Sequence, residues 1–344
     1  MNLFELKRHL QEHFTDGLVL VIGSGLSVAE GLPGMGALAR HLLANVPQLL
    51  QDPTSQPWST IAADLTKGTD LETALLNTAP DESVEAAIMK MTGELIHDAE
   101  QKTVQEVLDG ARTLRLTTLI PHLLKPNTGI PVVTTNYDRL VEVAAECGGL
   151  QVDSLFAGHY LARLNPSESR FCVCRQVVQR ARKAQLDLAP HFVVLKPHGS
   201  LDWFTHNGLP VRCPFGLLGQ RLIITPGANK FRGGYERPFD SHRERANKEI
   251  DKAARYLIIG YGFNDDHLQT HLEHQLRAGK PAVLLTHGLS QKAAALIAVA
   301  PGMVAISASP QGSGARVRSG ADDQIFPGPE IWDLGVFVQE ILRP

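Results

Sequence analysis

Three side chains able to hold water and move protons stand just beyond apolar, strand-like runs. Asn136 and Asp138 follow "VVTT", and His198 follows "FVVLKP". An amide carries a donor at one end and an acceptor at the other, so Asn136 can fix a water or a substrate hydroxyl. An imidazole titrates near neutrality, so His198 can act as a general base toward either. Asp138 can orient the other two or support positive charge developing on a substrate. Each also has a plainer reading. Asn and Asp favour helix starts, where they satisfy free backbone N–H groups, and most of the 14 histidines are expected in solvent.

The elements that must carry these residues alternate. "LVLVIG" (Leu18 to Gly23), "IPVVTT" (Ile130 to Thr135), "FVVLK" (Phe192 to Lys196), "RLIIT" (Arg221 to Thr225), "YLIIG" (Tyr256 to Gly260), "PAVLLT" and "MVAIS" read as buried strands. Continuous apolar runs of this kind suit strands covered on both faces. Helical patterns between them predict an α/β fold, a Rossmann-like parallel sheet with helices on both faces. The reading is one domain over 1–344, with a core of about 15–47 and 111–310. A helical insertion occupies about 48–110, and a last helix about 329–342.

Ligands of open parallel sheets bind beyond the carboxyl ends of the strands. Those ends are followed by Gly23, Ser24, Gly25 and Ser27; by Asn136 and Asp138; by His198 and Gly199; by Pro226 and Gly227; and by Tyr261, Gly262 and Asn264. Caps explain one or two such clusters, whereas five on one edge favour a site. In the first cluster, glycines let backbone approach a phosphate at a helix start. Val28 stands where the dehydrogenase fingerprint needs its third glycine, and no clear acidic ribose ligand follows about 20 residues on. Hydride transfer is therefore disfavoured.

Bulk composition removes other classes. The net charge of −3 over 344 residues gives no general pull toward nucleic acid or anionic lipid. No apolar run reaches the roughly 18 residues needed to span a bilayer, and the amphipathic start lacks the apolar centre of a secretory signal. Cys147, Cys172, Cys174 and Cys213 form no disulfide framework, so a reduced, cytoplasmic setting is expected. No metal is expected. His267, His271 and His274 share one helical face without a metalloprotease pattern, and no second pair completes a shell around Cys172 and Cys174. "KFRGGYERPF" (Lys230 to Phe239) reads as an exposed connection or a flap over a nucleotide, and "RVRSGADD" (Arg316 to Asp323) as a surface loop.

Four of these stretches together resemble the sirtuin family. They are "GSGLSVAEGLP" (Gly23 to Pro33), "TTNYD" (Thr134 to Asp138), "KPHGS" (Lys196 to Ser200) and "LIIGYGFNDDH" (Leu257 to His267). The nearest pattern is that of bacterial SIR2-like proteins. The resemblance implies NAD+ as substrate, with Ser24, Gly25 and Ser27 on the pyrophosphate and Gly23, Pro33 and Thr135 in the same pocket. It places Gly260, Tyr261 and Asn264 on the adenosine side, and Asn136, His198 and Asp138 at the nicotinamide ribose. The two Cys-x-x-Cys pairs of the zinc module and the segment after Gly-Ile-Pro have no counterpart here, which counts against lysine deacylation. The resemblance therefore implies an NAD+ hydrolase that depletes NAD in antiphage defence. The expected setting is a homo-oligomer, with a partner ATPase, helicase or Argonaute that would carry any nucleic-acid contact. The alternatives are a protein deacylase or ADP-ribosyl transferase, and a non-catalytic NAD or ADP-ribose sensor that regulates a partner.

Overall fold

The computed structural model describes residues 3–54, 56–180, 183–215, 219–227, 236–264 and 266–343. From the N-terminus, helix α1 (Leu3–Gln11) leads to strand β1 (Leu18–Ile22), followed by α2 (Ser24–Ala29) and α3 (Met35–Asn45). Then come α4 (Trp58–Thr66), α5 (Leu71–Asn77), α6 (Glu82–Leu108) and α7 (Arg115–Leu119). Strand β2 (Ile130–Thr134), helix α8 (Leu140–Cys147) and strand β3 (Gln151–Asp153) follow. A run of strands comes next: β4 (Phe156–Ala157), β5 (Ala162–Leu164), β6 (Cys174–Arg180), β7 (Lys183–Leu188), β8 (His191–Leu195), β9 (Gly199–His206), β10 (Leu209–Arg212) and β11 (Arg221–Ile223). The chain closes with β12 (Arg255–Ile259), β13 (Ala282–Leu285), β14 (Met303–Ala308), β15 (Ala315–Ser319) and β16 (Asp322–Phe326), with helices between and after them.

Nine strands form one sheet in the order β16-β15-β14-β13-β12-β1-β2-β8-β3. Pairing is parallel from β14 to β3 and antiparallel at β15 and β16. Alternate residues of each central strand enter opposite cores, as the two-residue side-chain period requires. Leu20, Ile22, Val132 and Val194 pack with α1, α7 and α8 on one face. Val19, Val21, Val133 and Val193 pack with the helices Phe239–Lys252 and Asp266–Arg277 on the other. This is the Rossmann-like build with both faces covered. No helix among the described residues is long and apolar enough to cross a membrane.

Two expectations need correction. The run "RLIIT" is not a strand of the parallel sheet: β11 pairs antiparallel with β9 in a second sheet of order β11-β9-β10-β5-β4. The cause is the immediate return of the chain after Lys196, which leaves no room for a crossover helix. Residues 174–180 and 183–188, for which the sequence pattern predicts no element, pair antiparallel as a two-stranded sheet of their own, β6 with β7. Arg316 to Asp323 lie in the β15–β16 hairpin at the sheet edge, closed by ion pairs of Arg316 and Arg318 with Asp323.

Residues 58–108 are helical, and Trp58, Ile61, Leu71, Leu75, Val84 and Ile88 form a separate core with Leu38 and Leu42 of α3. The insertion is also tied to the centre of the molecule. Fully buried Glu100 of α6 accepts from the backbone N–H and the guanidinium of Arg139, the residue after Asp138.

Candidate active site

The β1–α2 turn lies directly on the loop after β12, the crevice where the chain runs in opposite directions from β1 across the sheet. Gly23 N–H donates to the Ile259 carbonyl at 2.9 Å and Gly25 N–H to the Gly260 carbonyl at 3.0 Å. A Cβ on Gly25 would sit 2.7 Å from Gly260 Cα, and one on Gly260, whose φ is +60°, would sit 2.6 Å from Leu26 N. These two glycines are therefore explained by one backbone crossing another. Neither lines the cleft, and the Gly25 N–H is already engaged. Gly25→Ala should destabilise the fold by about 1–3 kcal/mol through overpacking. Gly288→Ala, in open space, should change stability by under about 0.5 kcal/mol in the same urea titration.

Above the crossing is a cleft of about 250 Å³ that collects residues from every strand end of interest. Gly23, Ser24, Ser27 and Pro33 line it from the first turn, Thr135, Asn136 and Asp138 from β2, His198 from β8, and Tyr261 and Asn264 from β12. Of the residues expected at the site, only Gly25 and Gly260 stand back from it. Sequence reasoning missed Met35 and Leu38 of α3, and Glu72 of α5 and Ile96 of α6, through which α3 and the insertion together form a wall. Glu72 gave no signal beyond that of an acidic first-turn residue. A second cleft, of about 330 Å³, opens at the opposite ends of β1, β2 and β8 and holds the Arg245–Glu249 ion pair. Parallel sheets do not present their ligand sites on that edge.

The polar order within the first cleft is directional. Asn136 Nδ2 donates to the Gly23 carbonyl at 3.0 Å and to Ser27 Oγ at 2.8 Å. A carbonyl only accepts, so the amide cannot be flipped, and both its hydrogens are engaged. Ser27 Oγ, already accepting, donates its own hydrogen to Asp138 Oδ2 at 2.7 Å. Asp138 Oδ1 accepts from Leu140 N–H at 3.1 Å. Asp138 thus reaches Asn136 through Ser27, the contact that the orienting one of its two expected roles requires. Burial pushes its carboxyl upward against the pull of the Lys196 ammonium and the Ser27 hydroxyl. The Asn136 carbonyl oxygen remains the acceptor available to a ligand.

His198 sits on the turn between β8 and β9, and its carbonyl accepts from Ile224 N–H at 2.9 Å. Gly199 has φ +88°, and a Cβ there would lie 2.1 Å from the Leu222 carbonyl oxygen. The glycine after the histidine is thus required by β11. Tyr137 OH donates to the Ile224 carbonyl at 2.5 Å, closing the cleft on that side. Lys230 to Tyr235, expected to form an exposed connection or flap, and the side chain of His267 lie outside the described residues. Among the described residues, no three His, Cys, Asp or Glu side chains gather as a metal-ligand set.

Behind the cleft, His242 Nδ1 accepts from Lys196 N–H at 3.2 Å. Burial, with the nearby Lys196 charge, holds its pKa down to about 3. The unfolded chain protonates this histidine near pH 6.5 and the folded chain does not, so stability must fall as pH drops from about 6.5 toward 3. His13, lowered by burial to about 4, acts in the same direction. Relative to wild type, His242→Gln should flatten stability against pH by about 1.4 kcal/mol per unit between pH 6 and 4.5, measured by urea unfolding. His13 and the upward-shifted Asp138 and Glu142 are common to both proteins and cancel in the difference.

The class these features define is a doubly wound α/β protein with its site at the switch point of the sheet. A family model for the SIR2-like domain matches residues 131–304, half of the chain, and the protein belongs to that family. Membership ties it to NAD-related chemistry. Among curated proteins, none matches the sequence. Among solved structures, the chain is similar to Sir2 bound to acetylated peptide, at 12% identity over 85% of this chain and 89% of that one, with a TM-score of 0.38. It is also similar to a mutant Sir2 homologue in complex with ADP ribose, at 13% identity over 86% and 88%, with a TM-score of 0.40.

Proposed function

We propose that the protein hydrolyses NAD+ to nicotinamide and ADP-ribose. The observation that carries this reading is that Asn136 and His198 line one cleft, with the Asn136 amide held so that its carbonyl oxygen is left for a ligand. The C1′–nitrogen bond breaks with its electron pair leaving on nicotinamide, which departs neutral. The ribose gains oxocarbenium character, and a water held by Asn136 adds to C1′. His198 takes the proton that water releases. Ser24, Ser27 and Pro33 border the space for the phosphates, and Tyr261 and Asn264 that for the adenosine. Fixed dipoles in a dry cleft are the largest usual source of such charge stabilisation.

The biological reading is an antiphage effector that removes NAD from the cell, as a homo-oligomer or with a partner ATPase, helicase or Argonaute. It rests on the resemblance of the "TTNYD" and "LIIGYGFNDDH" stretches to bacterial SIR2-like proteins. The deciding experiment measures nicotinamide release by purified protein over a range of concentrations, with and without the product of the neighbouring gene. A parallel arm supplies an acyl-lysine peptide. Nicotinamide release without peptide supports the hydrolase. Release only with peptide identifies a deacylase or transferase, and nucleotide binding without release under every condition identifies a sensor.

A further inference from the structure

We propose that Lys196 is a positioning residue whose ammonium locks the Asn136–Asp138 segment to the His198 turn. Its side chain is 2% exposed, and its Nζ is paired with a carboxylate. The ammonium has three hydrogens, and three acceptors from three elements surround it. They are the backbone carbonyl of Asp138, Ser200 Oγ at 3.3 Å on β9, and Glu142 Oε1 at 2.9 Å in the first turn of α8. The lysine is itself anchored at both backbone groups. Its N–H donates to His242 and its carbonyl accepts from Gly199 N–H at 3.1 Å. Ser200 Oγ donates onward to the Tyr137 carbonyl at 3.3 Å, and Leu201 N–H reaches the same carbonyl at 3.0 Å.

A buried ion pair is weak evidence for stability, because desolvation of both charges offsets their attraction. What this one supplies is register. The carbonyl of Asp138 is fixed from below by Lys196, while its carboxylate fixes Ser27 and through it the Asn136 amide. Two residues beyond Lys196 stands His198. One ammonium therefore sets the separation of the two groups that the hydrolysis needs on either side of a ribose.

The catalytic half of this inference rests on the NAD+ hydrolase reading; the structural half does not. Lys196→Met/Glu142→Gln removes the ion pair and leaves the Asp138 carboxyl its hydrogen bonds to Ser27 and Leu140, and Glu142→Gln alone leaves Lys196 its bonds to Asp138 and Ser200. In the double variant, amide hydrogen exchange in residues 134–140 should accelerate by about tenfold or more while the unfolding midpoint stays near wild type. Its kcat should fall about a hundredfold with KM changed less than about threefold, the signature of misplaced reacting groups. Glu142→Gln alone should lower the unfolding midpoint, because it leaves Lys196 a buried ammonium without its carboxylate, while exchange in 134–140 stays closer to wild type than in the double variant. Unchanged exchange in 134–140, or wild-type kcat in the double variant, overturns the inference. If the double variant does not fold, Ser200→Ala carries the test, and unchanged exchange in 134–140 again overturns it. A wild-type protein that releases no nicotinamide refutes the hydrolase reading alone and leaves exchange to decide on Lys196.

Discussion

Asn136→Ala should lower nicotinamide release at saturating NAD+ by about a hundredfold or more, while ADP-ribose affinity measured by calorimetry changes little. The reason lies in the direction of its hydrogen bonds. Its two amide hydrogens hold it to the Gly23 carbonyl and Ser27, so the oxygen that meets the ligand has a single orientation. Alanine deletes that acceptor and leaves the Ser27–Asp138 bond standing. Asn136→Asp should be at least as damaging. It sets a carboxylate oxygen against the Gly23 carbonyl, two acceptors with no hydrogen between them. A rate within tenfold of wild type for the alanine variant would remove Asn136 from the mechanism.

His198→Ala should reduce turnover by a factor of about 10²–10⁴, the usual range for a general acid–base group. Its backbone bond to Ile224 and the conformation of Gly199 do not depend on the ring, so the fold should persist. Added imidazole should recover part of the lost rate by occupying the space of the deleted ring. Recovery by imidazole but not by a buffer of equal ionic strength identifies proton transfer as the missing function. A loss smaller than tenfold would assign His198 to binding.

The central strands were legible because burial on both faces writes continuous apolar runs, as in "LVLVI" and "RYLII". The residues beyond them were legible because a parallel sheet puts all those ends on one edge. The second sheet was not. Its outer strands are short, two residues in Phe156–Ala157 and three in Ala162–Leu164, too few to express a period, and β9 is buried along six successive residues and so shows no alternation. The paired strands Cys174–Arg180 and Lys183–Leu188 are polar and, where their exposure is described, largely exposed, so they have no apolar pattern to read. Gly25 and Gly260 illustrate a different limit. Their neighbourhood to one another is a tertiary fact, and a glycine that serves backbone crossing looks the same in sequence as one that serves a phosphate. The wall formed by Glu72 and Ile96 was hidden for the same reason.

The bond between Glu100 and Arg139 turns the 27-residue helix α6 into a lever with its short arm beside the Asn136 loop. Displacing that helix must either leave the fully buried Glu100 carboxylate without its half-buried guanidinium partner, or drag the Asn136 loop along. A chimera that swaps residues 82–108 for another helical segment therefore inherits a requirement unrelated to its own packing. Without a carboxylate at position 100, the Arg139 guanidinium and its backbone N–H would lose their shared acceptor beside the cleft.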